Sequence, residues 1–178
     1  AVILGQVQSA PVSTQVQGAV RRSDNVEAEM LARLTAIRLG AGSSFEALQA
    51  AIPQALRSYG LDTTGLVIAD GSGLSDDNGV SGRFLTALFS KIDSREANLG
   101  VLLDGLPVAG ESGTLASRFS GANAVARGKV IAKTGWIDSG NTLSGLVHAA
   151  DGTTLTFAFF ALDSQRDPAR QALDTITT

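Results

Sequence analysis

Two short clusters carry the side chains best suited to chemistry, Ser23-Asp24-Asn25 and Lys133-Thr134-Gly135. A hydroxyl such as that of Ser23 can relay a proton to a departing amine. The Asn25 amide offers both a donor and an acceptor, so it can hold a peptide group in one orientation. Lys133 brings a positive charge, which at ~4 Å and an effective dielectric of about 20 attracts a carboxylate by roughly 4 kcal/mol before desolvation is counted. Gly135 has no side chain to keep an extended substrate off the strand, and Thr134 adds a hydroxyl contact. Both clusters also have a purely structural reading. Ser-Asp-Asn ahead of a helix is an N-capping sequence, and Lys-Thr-Gly in a strand marks a bulged edge.

The first cluster falls between two helical patterns. Residues 13–22 are weakly apolar on one side, and Val26, Met30, Leu31, Leu34 and Ile37 then recur at helical spacing up to Gly40. Further helices are expected over 44–59, with a kink or break near Ile52 imposed by Pro53, and over 81–91 and 96–103. Residues 2–8 and 66–68 read as short strands, the latter leading into a tight turn at Asp70-Gly71-Ser72-Gly73. Residues 105–120, rich in Gly, Ser and Pro, are expected to form a loop with one helical turn. The final third changes period: 129–137, 142–149 and 153–162 are strand-like and separated by Asp138-Ser139-Gly140-Asn141 and by Asp151-Gly152. A last helix over 167–175 starts with Pro168 in its first turn. The fold class that follows is mixed α/β of the α+β type, an antiparallel sheet flanked by helices, with Lys133 in the first strand of a three-stranded meander.

Composition removes other classes of function. With 44% hydrophobic and 17% charged residues the chain has enough apolar content for a packed core. A net charge of −3, with no basic cluster larger than Arg21-Arg22, argues against a nucleic-acid partner. No apolar run approaches the ~18 residues of a membrane-spanning helix. The chain has no cysteine and a single histidine, His148, so neither a thiolate nor a histidine metal site is expected, and no cofactor is implied. Asp76, Asp77 and Asn78 before Gly79 lack the closing glutamate of a calcium loop and read as a solvated turn. Gly71-Ser72-Gly73 is too short for a nucleotide loop. Ala1 follows no recognisable leader and reads as a point inside a longer protein.

Taken in order, the clusters match two parts of the serine acyltransferase set Ser-x-x-Lys, Ser-x-Asn and Lys-Thr-Gly. Longer stretches extend the match: Arg22-Ser23-Asp24-Asn25 with Ala28-Glu29-Met30-Leu31, and Asp70-Gly71-Ser72-Gly73-Leu74-Ser75 with Asn78. Leu106-Pro107-Val108-Ala109-Gly110, Gly113-Thr114-Leu115, Arg118-Phe119, and Gly128-Lys129-Val130 leading into Ala132-Lys133-Thr134-Gly135 complete the series. In these stretches the chain resembles the D-alanyl-D-alanine carboxypeptidase/endopeptidase branch of the low-molecular-mass penicillin-binding proteins.

The resemblance implies a penicillin-recognising transpeptidase fold, similar to that of β-lactamases, with a five-stranded antiparallel sheet between helical layers and incomplete in this chain. Residues 1–178 would be its C-terminal part. It implies removal of the terminal D-alanine from peptidoglycan stem peptides ending in D-Ala-D-Ala, through an acyl-serine intermediate, in the extracytoplasmic cell envelope, with β-lactams acylating the same serine. Ser23, Asn25 and Lys133 would be catalytic, and Thr134, Gly135 and Trp136 would bind substrate. The chain departs from the pattern twice. No Ser-x-x-Lys occurs in it, so the nucleophile is expected from the missing N-terminal part of the same protein. Trp136 stands where the family commonly has a smaller hydroxyl residue; its backbone N–H could still serve an oxyanion hole, whereas a hydroxyl contact to the substrate carboxylate would be lost. A non-catalytic penicillin-recognising module is one alternative. A class A β-lactamase is another, weakened because its candidate glutamate, Glu46, sits on an apolar-patterned helix.

Overall fold

In the computed structural model, which describes residues 4–178, helices α1 (Val12–Arg22), α2 (Asn25–Arg38), α3 (Phe45–Arg57), α4 (Gly82–Asp93) and α5 (Gly100–Gly105) come first. Strands β1 (Val130–Ile137), β2 (Gly140–His148) and β3 (Thr154–Leu162) follow, and α6 (Arg166–Ile176) closes the chain. The strands form one antiparallel sheet in the order β1-β2-β3, with Ile137 opposite Gly140 across a two-residue turn. Among the described residues the sheet therefore has three strands rather than the five that the resemblance implies.

Strand alternation sends successive side chains of β1 to opposite faces. Val130 and Ala132 join Leu143, Phe157 and Leu173 in a cluster beneath α6, whereas Ile131 packs with Leu146, Phe89, Ile92 and Leu99 on the side of α1, α4 and α5. Helices thus cover both faces. The α6 face is locked by a buried ion pair, in which Arg118 donates to both Asp174 oxygens at 2.5–3.2 Å.

Several expectations change in three dimensions. The apolar residues Val26, Met30, Leu34 and Ile37 lie on the exposed side of α2; its inner side is Ala32 and Ala36, small enough to let Ala47, Leu48 and Ala51 of α3 approach closely. The expected strand over 66–68 shrinks to a single bridge between Val67 and Gly79. The Gln49 side chain accepts from the Ile68 N–H and donates to the Leu66 carbonyl, taking the place of a neighbouring strand. The helix expected over 96–103 begins only at Gly100, because Arg95 and Ala97 adopt positive φ angles that turn the chain first. α3 continues through Pro53 without a break. Residues 4–8 form no strand, and Val2 and Ile3 lie outside the described residues. The loop over 105–120 does carry one 3-10 turn, Gly113–Leu115.

Because both charges of the Arg118–Asp174 pair are buried, removing one leaves the other unpaired in the interior. Asp174→Ala is expected to destabilise the fold by about 3–5 kcal/mol, read as a fall in the urea unfolding midpoint; a change within ~0.5 kcal/mol would contradict the assignment of this pair as a lock.

Candidate active site

The two clusters, 110 residues apart in sequence, meet in space. α1 ends at Ser23, whose φ of 56° and ψ of 50° place it in the left-handed region, and its N–H region folds back onto the last turn of α1. The chain turns there and α2 starts at Asn25. Asp24 is the N-cap of α2, its carboxylate accepting from the Glu27 N–H at 2.9 Å. The capping reading is realised by Asp24 alone, which leaves Ser23 and Asn25 to line a groove.

Lys133 alternates onto the α1 side of β1, and its ammonium donates to Ser23 Oγ at 2.7 Å and to the Thr134 carbonyl at 2.7 Å. With one lone pair of Ser23 occupied, its O–H proton remains free to point into the groove. Burial pushes the Lys133 ammonium down from 10.5 to about 8. A group so placed exchanges its proton far more readily near neutral pH than an exposed lysine does.

The groove, about 480 Å³, is walled by Ser23 and Asn25 on one side and by Ser72, Gly73 and Leu74 on another, with Lys133 to Trp136 along β1. The 70–78 loop is held by its own acid and by a helix. Burial alone would raise the Asp70 pKa, but hydrogen bonds from the Gly73 and Ser75 amides and from Asn78 hold its carboxyl below the usual range. Glu29 on α2 accepts from the Gly71 and Ser72 N–H groups at 2.6 and 3.1 Å, and Arg33 fixes its other oxygen. Residue 71 must be glycine for this docking, because a Cβ there would sit 2.4 Å from the Ala32 Cβ.

β1 presents an open edge to the groove. Ala132 N–H donates outward to the Pro107 carbonyl, so by strand alternation the backbone groups of Thr134 and Trp136 also face away from β2. The Thr134 hydroxyl is already paired with that of Thr114 at 2.8 Å. Gly135 is demanded by the sheet itself, since a Cβ would approach Thr142 Oγ1 to 2.4 Å. The expected set Ser23, Asn25, Lys133, Thr134, Gly135 and Trp136 thus lines one groove. Sequence reading missed Arg166 and Arg170 in the same lining, and gave no role to Leu74 or Thr114. Arg166 and Arg170 lie one helical turn apart at the start of α6, a spacing that could have singled them out. Glu46 is not in the lining, and His148 only pairs with Thr154 at 3.0 Å, at the far end of β2.

The D-Ala-D-Ala carboxypeptidase 3 (S13) family matches this chain across residues 1–178. The chain belongs to that family. The S13 chain is 38% identical over 176 residues to carboxypeptidase DacB of Mycolicibacterium smegmatis, covering 97% of this chain and 38% of that protein. It is 35% identical over 157 residues to a D-alanyl-D-alanine carboxypeptidase of Actinomadura, covering 85% of this chain and 29% of the relative. Its fold superposes on that of penicillin-binding protein 4 from Haemophilus influenzae, solved with a β-lactam, with a TM-score of 0.79 at 27% identity over 92% of this chain and 40% of that one. The chain therefore spans less than two-fifths of the length of the M. smegmatis relative.

The lowered Lys133 pKa has a measurable consequence. Between about pH 8 and 10.5 the unfolded lysine binds the proton that the folded one has released, so stability rises with pH across that window. Below pH 8 both states carry the charge and its burial weakens the fold fully. Urea midpoints are expected to climb from about pH 8 to 10 relative to a Lys133→Met variant; parallel profiles for the two proteins would refute the shift.

Proposed function

We propose that the protein carrying this chain is a serine-type D-Ala-D-Ala carboxypeptidase that cleaves peptidoglycan stem peptides through an acyl-serine intermediate. Residues 1–178 would be the C-terminal part of its transpeptidase-like domain, with the nucleophilic serine and its lysine supplied by a segment outside this chain. That substrate places its work in the extracytoplasmic cell envelope. The observation that carries the reading is the 2.7 Å contact between Lys133 Nζ and Ser23 Oγ in a groove that Asn25 and an open strand edge also line.

Each residue then has a task. The stem peptide would lie along β1 as an added strand, bonded through the outward backbone groups of Thr134 and Trp136. Asn25 would orient the peptide amide that precedes the scissile bond. As the serine attacks the D-Ala carbonyl, its proton would pass to the lysine of its own segment, and the Trp136 N–H would donate to the developing oxyanion. Collapse of the tetrahedral intermediate expels the terminal D-alanine amine, which takes its proton from the Ser23 hydroxyl; Lys133 would restore that proton to Ser23 and regain one from the lysine that deprotonated the nucleophile. Water then attacks the acyl-enzyme and regenerates the serine. Support for the assignment comes from the family match over the whole chain and from relatives named as carboxypeptidases.

The test is release of D-alanine from a D-Ala-D-Ala pentapeptide by the full-length protein, together with a covalent mass shift on exposure to benzylpenicillin. Acylation without peptide hydrolysis would favour a binding module, and rapid turnover of the penicilloyl adduct would favour a β-lactamase. Lys133→Ala is expected to lower kcat/KM by ~10²–10⁴-fold, and near-normal turnover would remove Lys133 from the mechanism. Asn25→Ala is expected to slow acylation while leaving stability within about 0.5 kcal/mol, since Asp24 holds the cap; a collapse in melting temperature instead would mean that Asn25 serves the fold.

A further inference from the structure

Trp136 takes from the groove the hydroxyl that could have met a substrate carboxylate, yet it brings another group with it. The Arg166 guanidinium lies over the indole ring, 4.1 Å from the ring centroid. Both side chains line the groove that holds Ser23 and Lys133. The other cations there are already engaged. Arg118 is bound by Asp174, Lys133 donates to Ser23 and the Thr134 carbonyl, and Arg170 lies 3.9 Å from Asp167. Arg166 has no ion-pair partner among the described residues.

Stacking explains what this arrangement can do. A guanidinium with one face on an aromatic ring keeps its N–H groups in its own plane, directed away from the ring, where a planar anion can meet two of them at once. Its position does not serve the helix. A cation in the first turn of α6 opposes the helix dipole, which favours acidic residues there. We propose that Arg166, seated on Trp136, is a specificity-determining residue that binds the C-terminal carboxylate of the substrate, and that Trp136 acts through it as a positioning residue. This rests on the carboxypeptidase reading. The pair would select substrates whose leaving residue carries a free carboxylate.

The experiment compares acylation of the full-length protein by benzylpenicillin, which carries a carboxylate, with acylation by benzylpenicillin methyl ester, which does not. Arg166→Gln is expected to lower the acylation rate constant for the acid about tenfold or more, while that for the ester stays within about twofold. Trp136→Leu, which removes the ring and brings no hydroxyl, should lower it similarly. Trp136→Phe, which keeps an aromatic face, should stay close to the parent. A thermal melt of each variant checks that the fold is intact. Equal losses for acid and ester, or no loss for either, would overturn the carboxylate role. An unmodified protein that neither compound acylates would instead sink the carboxypeptidase reading, and this proposal with it.

Discussion

The site depends on one constraint: an ammonium held below the surface must be given oxygen partners there. Lys133 meets it with Ser23 Oγ and the Thr134 carbonyl, one from the end of α1 and one from its own strand. The first joins the helical layer to the sheet edge. The second uses an outward carbonyl that would otherwise wait for a pairing strand. An unpartnered charge in that position would cost several kcal/mol, so the same contacts that lower the cost of burial also fix the distance between the two halves of the groove. Desolvation leaves the group easier to deprotonate than an exposed lysine.

The surrounding elements extend that logic outward. Asp24 satisfies the start of α2, so neither neighbour is consumed by capping. Glu29, one turn further along the helix, ties the 70–78 loop to the same body through two backbone amides. The loop's own acid then arranges the remaining amides. The groove walls are therefore referenced to α2 and β1, which are regular elements, rather than to the loop that completes them.

Much of this was legible in the residues. The meander, its turn signals and the placement of Lys133 in the first strand follow from period-2 alternation and from glycine and aspartate at the reversals. The junction at Ser23-Asp24-Asn25 follows from two helical patterns meeting. What stayed hidden was decided by long-range packing. The apolar stripe Val26, Met30, Leu34 and Ile37 suggested a buried face, but α3 chose the alanine side because smaller residues permit a closer approach. Residues 66–68 looked like a strand until the side chain of Gln49 supplied their backbone partners. Arg166 lies 30 positions beyond Trp136, and nothing local marks it as the residue that lies on that ring.

The left-handed backbone at Ser23 has an evolutionary implication. A side chain in that region costs of order 1–3 kcal/mol, and glycine would adopt it without penalty. Position 23 is thus one where backbone ease and the hydroxyl that accepts from Lys133 pull against each other. A variant selected only for heat resistance would drift toward glycine there and lose the hydroxyl. Serine in this conformation is a local stability cost carried at the joint between two helices, and engineering for durability has to look elsewhere in the chain.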